Sequence, residues 1–495
     1  MSTSNPHHDL HPWRVAIVGG GLTGLAAAHR VIELCSAAGR PLELVLFDAA
    51  DRCGGVIGTR EVAGYRVELG ADSFITNKPA GVELCKRLGL EDRLIPTDAR
   101  YRRSLVLRKG RPVEVPEGFQ LLSPVKVWPV LRSPIFSWAG KLRMGFEYFL
   151  PARQSDTDES LAQFVRRRFG REALERLVQP LVGGIYTSDP ERLSLRATMP
   201  RFLEMEHRHG SLIRALRSKP AETERGSSSG ARYGLFTTLR SGMGELLETL
   251  QQRVRAGGTM RLGTRIARLE PIESAWRLTT DAGEAHEFDA VVLALPAYRA
   301  ADLVAPFADN LAGQLRQIEY ASSAIVVSGH KLADVRHPLD AFGLVIPAIE
   351  RRKILAVSFT SRKFPDRAPE GCVQLRTFVG GAMQPEMFEL SDDQILQTVR
   401  EELRELLGVE GEPDFAIVAR YPRAMPQYHV GHLERVAAIE AAAARLPGLA
   451  LAGNAYHGVG VPDCVQSAEA AAQRLYAARG ALHGVMIEPG SVDCS

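Results

Sequence analysis

A mixed α/β fold, opening on a parallel βαβ unit and carrying a second sheet region and a mostly helical insert, is what the 495 residues predict. Three observations carry that expectation. A β-branched apolar run from Arg14 to Val18 passes through three glycines into an Ala-rich helical stretch from Leu22 to about Cys35. A second apolar run, Glu43 to Phe47, completes a βαβ opening of the doubly wound type. Near the other end, Leu449 to Leu475 repeats the order of short strand, Gly-rich turn and Ala-rich helix.

Between these units the pattern changes. Residues 117–221 are Pro-punctuated apolar segments with basic residues among them, followed by helical patterns at Ser160–Val165 and Arg171–Leu177. Beyond lies Glu222 to Gly230, Gly/Ser-rich and too hydrophilic to pack, expected to be a mobile loop over 222–234. Strand patterns then return at Arg261–Leu269, Ala290–Leu295, Ala324–Val327, Ile354–Phe359 and Val373–Val379, with an amphipathic helix over Asp392–Leu407.

Composition narrows the function classes. Hydrophobic residues at 45% and charged residues at 24% are ordinary for a globular protein, and the length favours two or more modules. A formal charge of +3 from 61 basic and 58 acidic groups gives no footprint for nucleic acid. Cys35, Cys53, Cys85, Cys372, Cys464 and Cys494 form no C-x-x-C pair, so neither a metal site nor a disulfide framework is expected, and a reducing, cytoplasmic compartment fits. The first residues lack the charged-then-apolar profile of a secretory signal and are expected to be a disordered lead-in. No apolar run reaches the roughly 18 residues that span a bilayer.

Gly19-Gly20-Gly21-Leu22-Thr23-Gly24 fits G-x-G-x-x-G between strand and helix. Gly19 allows the tight turn, Gly21 lets backbone approach a pyrophosphate at the helix N-terminus, and Gly24 permits close packing of helix on sheet. Asp48 closes the second strand, where a carboxylate accepts hydrogen bonds from ribose hydroxyls. NAD and FAD share such openings, and the next residues separate them. Asp48, Arg52, Gly54 and Gly55 resemble the E-x-x-x-R-x-G-G extension of the flavin amine oxidase, phytoene desaturase and porphyrinogen oxidase superfamily, with Asp in place of Glu. There the arginine is expected to add a cation near the phosphates, and the glycines to let backbone approach the flavin.

The C-terminal run from Ala452 through Gly453, Asn454, Tyr456, Gly458, Val459, Gly460 and Val461 to Ser467 sharpens this. It resembles the FAD signature of the porphyrinogen oxidases, as do Pro180 to Arg196 and the Phe342 to Pro347 run with Phe364-Pro365. The resemblance covers Arg14 to about Leu475. It implies FAD contacts at Gly20, Gly21, Leu22, Thr23, Gly24, Leu25, Asp48 and Val56, and at Gly70, Ala71, Asp72 and Ser73. Ile266, Asn454, Val459, Gly460 and Val461 complete the set. Asn454 stands where Asp is common, and its amide still orients a pyrophosphate or ribitol hydroxyl.

The same resemblance implies a Rossmann-like FAD-binding domain from 13–85, 235–298 and 432–482, and a β-sheet substrate domain from 86–116 and 299–431. The helical insert occupies 117–221, with a lead-in over 1–12 and a tail over 483–495. It also implies a flat apolar cleft in which Gly184 and Ile185 lie on one side while Phe342, Val345 and Phe378 sandwich a tetrapyrrole. The implied activity is an FAD-dependent oxidoreductase acting on CH–CH bonds, taking six hydrogens from a porphyrinogen with dioxygen as acceptor. The cofactor performs the hard step, so no acid/base residue is named, and His429 and His457 are expected to be structural. Coproporphyrinogen carries four propionates and protoporphyrinogen two, so rim cations would favour the former. Ser104, at the place of an arginine in protoporphyrinogen-type enzymes, and Lys78 incline the reading toward coproporphyrinogen III oxidase; a one-residue gap would restore Arg103 to that place, which keeps protoporphyrinogen IX oxidase as the alternative. A flavin amine oxidase or carotenoid desaturase, and a non-enzymatic binding protein like the GDP-dissociation inhibitors, remain the more distant readings.

The stretch Phe119 to Leu150 mixes Trp128, Phe136, Trp138 and Phe149 with Lys126, Arg132, Lys141 and Arg143. It reads either as a face resting on anionic lipid at the cytoplasmic membrane or as a core helix pair. The next enzyme of the haem pathway is a further expected partner.

Overall fold

The structure, a computed structural model, describes residues 11–116, 119–120, 123–124, 127–217 and 236–484. The expected mobile loop, most of the lead-in and most of the tail lie outside the described residues, as do Lys126 and Cys494.

β1 (Trp13–Val18) and β2 (Leu42–Phe47) pair in parallel, joined by α1 (Leu22–Ala37). Three strands from far along the chain extend the sheet: β3 (Thr259–Arg261), β4 (Ala290–Leu293) and β5 (Leu449–Leu451), in the order β3-β2-β1-β4-β5. Every pairing is parallel. Such a sheet is covered on both faces, which is why β1 and β4 read as continuous apolar runs. One face carries α1, the helix Gly244–Gly257 and α2 (Val461–Gly484). The other carries the helices Ala297–Val304, Asp309–Arg316 and His432–Ala443 with a meander over Ile266–Ile272, Ala275–Thr280 and Ala285–Phe288.

A second, seven-stranded sheet runs from Phe415–Pro426 through Tyr320–Lys331, Cys372–Gly380, Ala356–Phe359, Gly343–Val345 and Leu105–Arg108 to Arg111–Glu114. The helix Asp392–Leu407, started by a Ser391–Gln394 capping box, covers one face. Val106 and Val345 contribute to the core of the helical insert, tying that insert to the far end of the sheet. Within the insert, Ser160 caps Leu161–Arg168 in a second capping box. The expected helix at Arg171–Leu177 widens into a π-helical turn over Leu174–Val178 before Gln179–Tyr186.

Two sequence expectations change. The single run Arg261–Leu269 is divided between two sheets, because the chain turns after Arg261 and re-enters at Ile266 as the first strand of the meander. The twelve-residue strand Phe415–Pro426 was not anticipated, since Pro422 argues against a strand; it lies at the sheet edge, where a missing N–H is tolerated.

Candidate functional site

The carboxyl ends of β1 and β5 deliver the chain to the N-termini of α1 and α2 at the same edge of the sheet. Gly21, the residue before α1, supplies no side-chain cap, and the first turn contains no acid, so its N–H groups are available to an anion. A Cβ placed on Gly21 would meet no atom within 4 Å. Gly24 is the opposite case: its Cβ would fall onto the carbonyl oxygen of Gly19, 2.9 Å from the carbonyl carbon. One glycine leaves space for a ligand, the other lets the helix sit against the strand end.

Asp48 accepts the Gly20 N–H at 2.5 Å and the Ala50 N–H at 2.7 Å. A carboxylate has about four lone-pair sites, so two remain for ribose hydroxyls, and the shorter Asp suffices. Gly54 donates to the Gly20 carbonyl at 2.9 Å, fastening the second glycine pair to the first turn. Arg52 does not face the anion cradle. Its guanidinium curls over its own loop, donating to the carbonyls of Gly55 (2.9 Å), Cys53 (3.3 Å) and Ile57 (3.4 Å). Its role is to shape the turn that holds Gly54, Gly55 and the exposed Val56.

The segment Gly70 to Ser73 is held from behind. Asp72 is bound by Lys363 (3.0 Å), Arg376 (3.0 Å) and the Ser73 hydroxyl (2.7 Å), while Arg376 also donates to the Gly70 carbonyl. Burial by itself would push the Asp72 carboxyl up, but the charges of Lys363 and Arg376 overcome it and hold the group well below the usual carboxylate range. Its charge is spent inside the protein, so this segment offers a ligand backbone groups rather than the Asp72 side chain.

At the other end, Gly453 donates to Ser467 Oγ at 3.1 Å, and Gly460 to Asp463 Oδ2 at 3.2 Å. Lys78 reaches Asp463 Oδ1 at 2.5 Å, so it neutralises a carboxylate at the start of α2. Leu22 and Leu25 of α1 pack in one core with Val461 and Val465 of α2, with Cys464 against it, which places the first turns of the two helices side by side. Burial pushes that thiol up to about 11, keeping it neutral where negative charge would oppose a phosphate. Ile266 is buried in the sheet's second core with Val18, Phe47 and Val291. Asn454 and Val459 are half-buried in the loop between β5 and α2, and Leu22 and Leu25 face the core. Two glycine-rich junctions thus lie at one edge of the sheet, with open N–H groups at the start of α1 and Asp48 beside them, an arrangement that could hold an extended dinucleotide such as FAD.

In the helix Gln179–Tyr186, Gly184 is exposed with open space where a Cβ would be, and Ile185 follows it. Gln179 of that helix accepts from the Ala348 N–H at 2.9 Å and donates to Met383 Sδ at 3.6 Å. Ile349 and Met383 leave apolar surface exposed beside it. Val345 packs toward the insert, Phe378 lies under Arg376 with the guanidinium 5.6 Å from its ring, and Phe342 is buried. Arg103 is half-exposed but already paired, with Asp340 at 2.8 Å and Glu114 at 3.7 Å. Sequence reasoning missed Gln179, Lys363, Arg376, Tyr428 and His432. Lys363 directly precedes the Phe364-Pro365 pair, the one signal that pointed there. Among the described residues no cluster of three or more His, Cys, Asp or Glu side chains is arranged to hold a metal.

The family model described as flavin containing amine oxidoreductase matches residues 22–476. The coproporphyrinogen III oxidase of Bacillus subtilis is 35% identical over 92% of this chain and 96% of its own. That of Staphylococcus aureus is 31% identical over 94% and 99%. The mitochondrial protoporphyrinogen oxidase of Nicotiana tabacum is 28% identical over 92% and 93%. Among solved structures, a putative protoporphyrinogen oxidase from Exiguobacterium superposes with a TM-score of 0.83 at 28% identity, over 94% of this chain and 99% of that one. A putrescine oxidase shares the fold at a TM-score of 0.66 and 17% identity, over 94% and 99%.

Proposed function

The chain belongs to the flavin containing amine oxidoreductases and is an FAD-dependent oxidoreductase, and on that premise we propose that it oxidises coproporphyrinogen III to coproporphyrin III in haem biosynthesis. The observation that carries the reading is the packing of the first turns of α1 and α2 in one core through Leu22, Leu25, Val461 and Val465, behind two glycine-rich turns at one edge of the parallel sheet. Relatives matched over almost their whole length and named for this substrate support it.

When bound, FAD supplies the two-electron acceptor for a meso C–H hydride, and dioxygen takes the electrons onward as peroxide. The chain's work is placement. The first turn of α1 holds the pyrophosphate, Asp48 the ribose, and Gly70 to Ser73 a backbone wall that Lys363 and Arg376 keep in register. Gly184 on one side and Val345 and Phe378 on the other admit a flat macrocycle, with Ile349 and Met383 extending the apolar surface. Holding the reacting carbon at roughly 3–3.5 Å is what such walls contribute to the rate. Because Lys78 and Arg103 already meet Asp463, Asp340 and Glu114, a propionate gains their charge only by sharing or displacing those partners.

The test is anaerobic mixing of the purified yellow protein with coproporphyrinogen III and with protoporphyrinogen IX, following flavin absorbance. Faster bleaching by coproporphyrinogen is expected; preference for the other substrate transfers the assignment to protoporphyrinogen IX oxidation, and inertness toward both overturns the reading.

The helical insert supports a peripheral lipid contact as part of this reading. Trp138, Leu142, Phe146 and Phe149, spaced along one face of Trp138–Gly145 and its continuation, are each more than half exposed, as is Trp128. Lys141 stands 4.6 Å from the Trp138 ring centre, setting a cation at the edge of the apolar stripe. No helix among the described residues is long and apolar enough to cross a membrane. Co-sedimentation with phosphatidylglycerol vesicles should be lost in a Leu142→Glu/Phe146→Glu variant; unchanged co-sedimentation rejects the contact.

A further inference from the structure

The six residues from Gln427 to His432 hold hydrogen bonds in two directions. On one side they run along the end of the helical insert. Ser188 donates through Oγ to Gln427 Oε1 at 2.6 Å, the Ser194 N–H to the Tyr428 carbonyl at 2.8 Å, and the Val430 N–H to the Arg192 carbonyl at 2.9 Å. Asp158 fastens the join, accepting from Ser194 Oγ at 2.7 Å and from the Gly431 N–H at 3.1 Å. On the other side lies the loop between β5 and α2. The Tyr428 hydroxyl donates to the Asn454 carbonyl at 2.6 Å and accepts the Gly458 N–H at 2.8 Å. His432 stacks on the Tyr428 ring at 3.9 Å between ring centres, and its Nε2 is 2.9 Å from the Tyr456 carbonyl. Both side chains are fully buried.

The chemistry of these bonds is specific. Burial lowers the His432 imidazole to about 4, so the ring is neutral, and the carbonyl partner requires its single proton on Nε2. Tyr428 both donates and accepts, which phenylalanine cannot reproduce although it fills the same volume. Three alternate residues of the loop, Asn454, Tyr456 and Gly458, are therefore held from one side by two side chains. That loop contains Gly453 and Gly458 at φ +141° and +158°, conformations a side chain rarely adopts, so glycine leaves it soft unless something else fixes it.

We propose that Tyr428 and His432 are positioning residues: they set the loop that carries Asn454 and Val459 to Val461 against the flavin, and join it to the Ser188–Ser194 stretch on the substrate side. The proposal rests on the FAD-dependent reading above. A loop allowed to drift moves the positive end of α2 away from the ring, and reduced flavin, the more electron-rich form, loses the larger share of stabilisation.

The experiment compares wild type, Tyr428→Phe, His432→Gln and His432→Leu by FAD titration of apoprotein, by flavin midpoint potential and by apoprotein melting. Binding of FAD by the wild type is the check on the underlying reading and is scored separately. For Tyr428→Phe the expectation is FAD affinity weakened roughly tenfold or more and a lower midpoint potential, since two buried partners lose their bond. His432→Gln, whose amide can still donate to the Tyr456 carbonyl, should retain affinity and potential, while His432→Leu should lose both. Wild-type affinity and potential in Tyr428→Phe overturn the proposal. Should that variant not fold, equal values for the two His432 variants overturn it as well.

Discussion

A Gly24→Ala protein should purify colourless. The added methyl would stand 2.9 Å from the Gly19 carbonyl carbon and 3.4 Å from Ile17 Cγ2, and its clash with the Gly19 oxygen involves backbone, which cannot rotate away. The strand end is held by parallel pairing on both sides and α1 by its packing against α2, so relief comes only by lifting the first turn of the helix. Overpacking of this kind costs about 1–3 kcal/mol in stability. The larger loss falls on the ligand, because donors aimed at a phosphate tolerate little displacement; FAD affinity should drop by roughly 100-fold or more. Gly21→Ala makes the contrast. Its methyl meets no protein atom, so the apoprotein should melt as wild type while FAD titration shows a comparable loss from the methyl occupying ligand space. Stoichiometric flavin in Gly24→Ala would contradict the assignment of this turn.

An Arg168→Met substitution is expected to destabilise the protein by about 3–5 kcal/mol, as removal of one member of a buried ion pair does. Arg168 and Glu147 are both inaccessible to solvent. Glu147 accepts from Arg168 Nε at 2.9 Å, from Ser211 Oγ at 2.6 Å and from the N–H groups of Leu212 (2.9 Å) and Ile213 (3.2 Å), capping the short helix Leu212–Arg217. Arg168 also binds the carbonyls of Pro151 and Gly210. Without the guanidinium a fully buried carboxylate keeps only the Ser211 hydroxyl and two backbone N–H groups as partners and has lost its counter-charge. Urea unfolding should show the loss, and Arg168→Met/Glu147→Gln should recover part of it by removing the stranded charge. A loss under about 1 kcal/mol in the single variant would show that water or a neighbour compensates the carboxylate. Flavin should be retained in the folded fraction, since the pair belongs to the insert and not to the nucleotide edge.

The cofactor half of the molecule was legible because its constraints are local. Strand, triple glycine and helix at residues 13–37 obey rules of steric approach that hold in any context, and in the other sheet the amphipathic pattern Asp392–Leu407 matches its helix to the residue. What the sequence hid depends on partners distant along the chain. Asp72 sits in a segment expected to touch FAD, but its charge is settled by Lys363 and Arg376 some three hundred positions later. Lys78 and Arg103 look like cations waiting for propionates until Asp463 and Asp340 appear beside them. Tyr428 and His432 follow an edge strand in a stretch with no periodicity, and only stacking reveals them. Spacing reports what a residue can do; pairing decides what it has left to offer.

The parallel sheet is finished by β5, whose pairing side on β4 stays uncovered until about nine-tenths of the polypeptide has been made. A ribosome-bound chain therefore exposes Ala290 to Leu293 as an apolar, open ladder for as long as residues beyond them are being translated. Because the second glycine-rich turn and α2 follow β5, both halves of the proposed flavin edge exist only once that strand has joined β4.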